Sequence, residues 1–549
     1  MRKLSVLLAI TMIFSLLAQF TSCELLPDRS KPPEASESEI TENSTITTTK
    51  PSDTSEEKGE IDMTVTPEQY GISSKEITAM LEGYRAAGLS MHSVIVMRHG
   101  QIVAEGYAEP FDENTLHRMY SVSKSFVSIA VGALEAEGRI SINDTIDKYF
   151  PDYVNESTDP RIAKTKLVDL LRMASPFRKG STYNGKTDMN WTATFFTAPV
   201  GKEPGTEYLY DTSATHILGV IVERVTGMTF LEYLKQKALL EIGFSENAWC
   251  VKAPEGYAWG GSGVMCTPRD LAAFANLVMN KGVHNGKQLL PAEYIEKATS
   301  KQIETAAAEG DSDYYGKGYG YQIWINPYGF AFMGMGNQHA YCVPEKDLVF
   351  VCTADNQGNS AAAGIIYSLL EEHIIKKLSD TPLQENAKAF ADMQAALDGM
   401  TIPHQYGNAT SAKSDAINGK TFVSVNGGGN ISSFKLSFQG DEGVLTYKTP
   451  RGEKTLSFGI GKNVSCVLDE PQYSGELINH PIGRGYRALC SGAWTSNTTF
   501  VLRVQVVDDY LGNMTMTFDL DSSPTLTVKK TAEWFLDEYK MSNVAYRMQ

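Results

Sequence analysis

The chain has 549 residues, a formal net charge of −16 and seven cysteines. Its length points to about three domains, and 42% hydrophobic residues with 26 Tyr and 22 Phe can build a buried core. Composition excludes collagen-like and wholly disordered chains, seven Cys are too few for a disulfide scaffold, and the acidic balance offers no basic stripe to a nucleic acid.

Arg2 and Lys3 precede an apolar run from Leu4 to Leu17. This is the charged n-region and apolar h-region of a signal peptide, too short to span a bilayer comfortably. Ala18-Gln19-Phe20-Thr21-Ser22-Cys23 resembles a bacterial lipobox, with Phe20 where Leu is usual. Residues 1–22 therefore read as a lipoprotein signal peptide, with lipidation expected at Cys23. The protein would be secreted across the cytoplasmic membrane and lipid-anchored to its outer face; an ordinary cleaved secretion signal is the alternative. Removing the signal leaves 47 bases against 65 acids, or −18. Residues 24–62 hold eleven acids, four bases and no aromatic residue. Such a stretch cannot bury enough apolar area to offset its ordering entropy, so 23–65 reads as a disordered acidic linker.

Ser93–Arg98 and Gln101–Tyr107 alternate like strands and meet at His99-Gly100, as in a hairpin. From Ser121 the spacing turns helical through Phe126, Ile129, Ala130, Ala133 and Leu134, with Gly138 as a C-terminal cap. A second helix carries Leu218, Ile221, Val222 and Val225 and ends at Gly227. A third opens with Thr267 as N-cap, Pro268 and Asp270. Strands are expected at Tyr319–Ile325, Phe330–Met333, Ala340–Val343 and Leu348–Cys352, then a helix over 361–377. This order gives a sheet with early and late strands and helices on its faces, an α/β (α+β) domain over 66–400. Beyond it, short alternating segments separated by Gly, Asn and Asp turns predict an all-β accessory domain over 401–549.

Ser121-Val-Ser-Lys124 is a Ser-x-x-Lys at a helix start. Residues three apart share a helix face, so Lys124 can take the proton that makes Ser121 a poor nucleophile. Burial and the helix N-terminus would lower the lysine pKa. The same tetrapeptide spacing occurs at Ser55/Lys58, in the linker, and at Ser432/Lys435, in a strand where the two side chains diverge. Context selects Ser121.

Around this pair the chain resembles the serine β-lactamase-related family, which includes class C β-lactamases, D-Ala-D-Ala carboxypeptidases, family VIII esterases and 6-aminohexanoate-dimer hydrolases. The resemblance runs over roughly 66–385. It rests on Ser121–Val127, Leu134–Pro151, Leu170–Ser175, Gly205–Gly219, Gly260–Gly263 and Arg269–Leu271. It implies a β-lactamase/transpeptidase-like antiparallel sheet flanked by helices. It also implies that Tyr210 shares proton transfer with Lys124, and that Thr212 stands where the family has Asn. No Lys-Thr-Gly, Lys-Ser-Gly or His-Thr-Gly occurs. The corresponding strand reads Phe332-Met-Gly334-Met335-Gly-Asn-Gln338, most similar to the 6-aminohexanoate-dimer hydrolase-like branch. Gly334, Met335, Thr212 and Gln338 are thus expected at the oxyanion hole and substrate. The hole itself needs only backbone N–H groups, those of Ser121 and Met335. Without the motif's cation a β-lactam carboxylate loses its anchor.

The nine His form no zinc-hydrolase pattern, and no cofactor or metal is implied. His339 reads as an ordinary strand residue and Asp211 as a helix cap, with a place facing the cleft as the alternative for each. The cysteines after Cys23 read as mostly free and buried, with a Cys466–Cys490 pairing as the alternative. Trp494 and Trp534 read as core. The sequence thus predicts a surface-anchored serine hydrolase acting on a small-molecule or peptide-like ester or amide through a Ser121 acyl-enzyme. A catalytically silent cell-wall sensor on the same fold is the second reading. No oligomeric state is specified.

Overall fold

The computed structural model describes residues 65–183, 189–305, 317–425, 427, 429–470, 485–531 and 541–549. The signal segment, Cys23, the linker up to residue 64 and Trp534 lie outside the described residues.

Helix α1 (Ser74–Ala86) comes first. His99 and Gly100 then take φ of 50° and 75°, the paired left-handed conformation of a tight hairpin turn. They join β1 (Met91–Arg98) to β2 (Gln101–Tyr107) as expected. β3 (His117–Arg118) leads to α2 (Ser123–Ala136), buried from Ser123 to Leu134. Helix α3 (Thr212–Thr226) ends at Gly227 with φ of 76°. β5 (Val264–Cys266) pairs with β3 on one side and β4 (Trp249–Cys250) on the other in a small sheet. α4 (Pro268–Met279) carries a complete capping box: the Thr267 hydroxyl accepts from the Asp270 N–H at 3.0 Å and the Asp270 carboxylate from the Thr267 N–H at 2.9 Å. A two-stranded ribbon, β6 (Val283–His284) and β7 (Lys287–Gln288), follows. β8 (Trp324–Asn326), β9 (Gly329–Gly334), β10 (Gln338–Val343) and β11 (Leu348–Ala354) then precede α5 (Ala362–His373) and α6 (Ala387–Asp398).

The main sheet has the order β2-β1-β11-β10-β9-β8, antiparallel throughout. Alternation in β1 divides its side chains between two cores. Val94 and Val96 pack with Ile77, Ile366 and Leu397 from α1, α5 and α6. Ile95 and Met97 join Phe126, Ile217 and Leu271 from α2, α3 and α4. The helical body inserted between β2 and β8 therefore hangs from one face of the sheet.

Two local expectations are corrected. Ser121 sits in a 3₁₀ turn (Tyr120–Val122), and the α-helix starts at Ser123, whose hydroxyl is tied to the Val264 N–H at 3.0 Å. The strand expected over Tyr319–Ile325 is confined to Trp324–Asn326. Gln322 breaks it with φ of 60° and gives its amide to the Leu170 and Leu171 carbonyls at 2.8 and 3.1 Å.

The C-terminal part is all-β: β12 (Thr421–Ser424), β13 (Ser433–Gln439), β14 (Glu442–Thr449), β15 (Gly452–Ile460), β16 (Val464–Leu468), β17 (Tyr486–Trp494), β18 (Thr499–Val507), β19 (Leu511–Asp519), β20 (Thr525–Lys530) and β21 (Met541–Met548). Nine of them close a barrel in the order β15-β14-β13-β12-β21-β20-β19-β18-β17. A parallel seam, Gly459–Ile460 against Ser491–Gly492, shuts it, and β16 flanks β17. Closure leaves the barrel without the open edge of a flat sheet. Trp494 lies in its core at 1% exposure, with Phe434, Phe458, Phe500 and Phe518. That core continues into Tyr183, Trp191 and Trp259 of the helical body. The six described cysteines are unbridged, with the Cys466 and Cys490 sulfurs 2.8 Å apart. Among the described residues no helix is long and apolar enough to cross a membrane.

Candidate active site

The Ser121 segment is held before the helix begins. β3 pairs with β5, and the Met119 N–H donates to the Val264 carbonyl at 2.9 Å. Tyr120 then takes φ of 46°, a left-handed conformation that costs an L-residue roughly 1–2 kcal/mol. Such strain persists only where the surroundings over-determine it. The turn delivers Ser121 to the start of α2, with Lys124 three residues on.

Lys124 is buried, and its ammonium nitrogen donates to the Ser121 hydroxyl oxygen at 3.0 Å and to the Gly261 carbonyl at 2.6 Å. Burial pushes its pKa down to about 7, with the Asp211 carboxylate pulling the other way. An amine poised near neutrality can accept a proton from Ser121. Position 261 has to be glycine for this contact, because a Cβ there would run into the Thr212 methyl.

Tyr210 precedes the cap of α3, and its ring centroid lies 5.0 Å from the Lys124 amine. Burial raises its phenol to about 12, while a hydrogen bond to Ser121 pulls it down. Ser121, Lys124 and Tyr210 are therefore brought together. Asp211 does cap α3: it accepts from the Ser213 N–H at 2.9 Å and the Ser213 hydroxyl at 2.5 Å. Desolvation raises its pKa. From the cap its carboxylate also acts on the Lys124 amine, so the capping and cleft-facing readings both hold. Thr212 lines the Gly261 loop, its N–H donating to the Gly180 carbonyl at 3.0 Å.

On the opposite wall, β9 runs against the 3₁₀ turn so closely that a Cβ on Gly334 would collide with the Met119 carbonyl. Met335 follows, 37% exposed. Gln338 is fully buried and its amide NH₂ donates to the Met335 carbonyl at 2.8 Å and the Ala354 carbonyl at 2.7 Å. Its carbonyl accepts from the Ala354 N–H at 3.1 Å. It thus shapes the turn and does not face the cleft. His339 is buried against the Tyr341 hydroxyl at 3.0 Å, and burial lowers its pKa to about 3.

An aromatic wall was not anticipated. Trp324 stacks on Tyr210 at 5.8 Å, and Tyr208 and Tyr319 complete the group. The alternation Tyr208-x-Tyr210 was the available signal. Arg118 was also missed. Its guanidinium lies over the rings of Tyr120, Trp259 and Tyr510 at 4.4, 4.9 and 4.5 Å. Among the described residues no group of His, Cys, Asp and Glu could hold a metal ion.

The β-lactamase family model matches residues 74–371. The 6-aminohexanoate-dimer hydrolase of Paenarthrobacter ureafaciens is 27% identical over 276 residues, 47% of this chain and 70% of that protein. A provisionally named D-alanyl-D-alanine carboxypeptidase of Salmonella agona (strain SL483) is 24% identical over 219 residues, 34% of this chain and 50% of that protein. The chain thus spans half the length of the latter. Among solved structures, a provisionally named 6-aminohexanoate-dimer hydrolase from Bacillus anthracis is 24% identical. It covers 55% of this chain and 83% of its own, with a TM-score of 0.47.

Proposed function

The chain belongs to the β-lactamase family of serine hydrolases, and from that premise we propose that it cleaves small esters or amides through a Ser121 acyl-enzyme while tethered at a membrane surface. One observation carries the reading: a buried amine, lowered to about 7, lies 3.0 Å from a hydroxyl at a helix start. Neutral Lys124 takes the Ser121 proton as the oxygen attacks the carbonyl carbon. The Ser121 and Met335 N–H groups receive the developing oxyanion. Collapse breaks the ester or amide bond, and Lys124 with Tyr210 returns the proton to the leaving group. Water then attacks the acyl-enzyme, losing its proton to this pair; collapse breaks the Ser121–acyl bond, the pair returns the proton to the Ser121 oxygen, and the acid is released. Met335 and the Tyr208/Tyr210/Trp324 wall favour an apolar acyl or leaving group over an anionic one. The tether rests on Arg2, Lys3, the Leu4–Leu17 run and Cys23.

Purified protein and a Ser121→Ala control are treated with a fluorophosphonate, then with short-chain esters, small amides and nitrocefin. Labelling confined to Ser121, ester or amide turnover and slow nitrocefin hydrolysis are expected. A wild type that is not labelled supports instead the silent sensor, the reading that Thr212 in place of Asn and the missing Lys-Thr-Gly-type motif keep open. Rapid nitrocefin turnover refutes the apolar preference.

A further inference from the structure

The Ser121 N–H, one of the two oxyanion donors, is oriented by the residue before it. That residue, Tyr120, holds a φ of 46° that L side chains rarely adopt, and its ring is buried. What fixes it comes from the barrel. The Leu511 N–H donates to the Tyr120 phenol oxygen at 3.1 Å, and the phenol donates to the Leu511 carbonyl at 3.4 Å. The Tyr120 ring lies under the Arg118 guanidinium, which also lies over the Tyr510 ring.

The second donor is braced from the same place. The Asn513 amide donates to the Asp355 carboxylate and the Gln357 carbonyl, each at 3.3 Å, and the Gln357 amide donates to the Leu511 carbonyl at 3.3 Å. The Asn356 N–H in turn donates to the Gly336 carbonyl at 3.2 Å. Ala354, one residue before Asp355, is bound to Gln338, which holds the Met335 carbonyl. Two walls that meet at the reacting carbonyl are thus referenced to one short stretch of β19 and the residue before it.

We infer that Tyr510–Asn513 of the barrel is a positioning element of the acyl-transfer site, setting the Ser121 and Met335 N–H groups at their working separation through Tyr120 and Asn513. This rests on the Ser121 acyl-enzyme reading above. It assigns the C-terminal domain a part in the reaction that needs no ligand of its own. A donor displaced by about 1 Å can cost about a hundredfold in rate, so a loss of the phenol contact should appear in acylation and not in substrate affinity.

The test uses the full chain with three single variants. Tyr120→Phe removes the latch hydroxyl and keeps the ring; Asn513→Ala releases the other wall. Tyr84→Phe is the structural control, since it deletes another buried phenol, which donates to the Ile366 carbonyl at 3.3 Å on the far face of the main sheet. Fluorophosphonate labelling rates, kcat and KM on a short-chain ester, and melting temperatures are measured for each. Tyr120→Phe is expected to acylate about tenfold or more slowly with KM unchanged. Tyr84→Phe should label at the wild-type rate even if its melting temperature falls as far. Wild-type labelling by Tyr120→Phe, or equal slowing by Tyr84→Phe, overturns the inference. If Tyr120→Phe is insoluble, Asn513→Ala decides: slowed labelling at unchanged KM supports the inference and wild-type labelling overturns it. Failure of the wild type itself to be labelled strikes the acyl-enzyme reading, a separate result.

Discussion

Lys124 offers a quantitative handle on the site. Burial takes its amine from an ordinary 10.5 to about 7. At pH 7 roughly half of such amines are neutral, against roughly 0.03% for an unperturbed lysine, so burial raises the available base by on the order of a thousandfold. The same shift is a stability term. Between pH 7 and 10.5 the unfolded chain holds a proton that the folded chain has released. Stability therefore rises with pH across that window, by about 1.4 kcal/mol per unit and about 5 kcal/mol in all, and is flat in this term below it. Lys124→Met removes the titrating group and keeps an unbranched side chain. Urea denaturation of wild type and variant is compared from pH 6 to 10, and the difference between them isolates this residue. The difference should grow steadily in favour of the wild type above pH 7. In parallel, fluorophosphonate labelling of the wild type should fall about tenfold per unit below pH 7 and level off above it. A stability difference independent of pH, or labelling that is flat from pH 5 to 8, would refute the neutral-lysine reasoning.

Asp211→Asn keeps an oxygen to cap α3 but deletes the charge that holds the Lys124 pKa up. The acid limb of the labelling profile should move to lower pH, and a profile moved upward excludes the coupling. Gly334→Ala drives a methyl into the Met119 carbonyl, so β9 and the Ser121 turn must separate; labelling should drop about a hundredfold with the circular dichroism spectrum retained. Gln338→Ala strands the Met335 and Ala354 carbonyls. It should cost about 1–3 kcal/mol in denaturant unfolding and slow labelling, and an unchanged midpoint would mean that the turn is held by other contacts.

Local chemistry was legible and long-range geometry was not. The Thr267-Pro268-Asp270 start of α4 and the Gly227 end of α3 are set by groups within a few residues, and both are found as read. So is the His99-Gly100 turn. Ser121 and Lys124 could be paired from their spacing at a helix start, which the other two Ser-x-x-Lys occurrences lack. Their setting depends on Val264, Gly261 and Leu511, which lie hundreds of residues apart in places. Tyr319–Ile323 has the composition of a strand, yet Gln322 is claimed by the Leu170 and Leu171 carbonyls from the helical body. Gln338 carried a substrate role by resemblance, and its burial under β11 contacts is invisible in a motif. β17 is buried at nearly every position and so lacks the alternation by which the C-terminal strands are read. The barrel's closure rests on a two-residue parallel seam that no local pattern announces.

The pairing of β12 with β21 has a consequence for how the chain is made. Ser424 finds its partner in Tyr546, roughly 120 residues later. At about 5–20 residues per second, a nascent chain carries a bare strand edge for on the order of ten seconds. For most of that interval the hydrolase helices are complete in sequence while Tyr120 still lacks Leu511. Such an edge invites pairing with neighbouring chains, so slowed elongation after β12 should raise the fraction lost to aggregates or to chaperones before the barrel can shut.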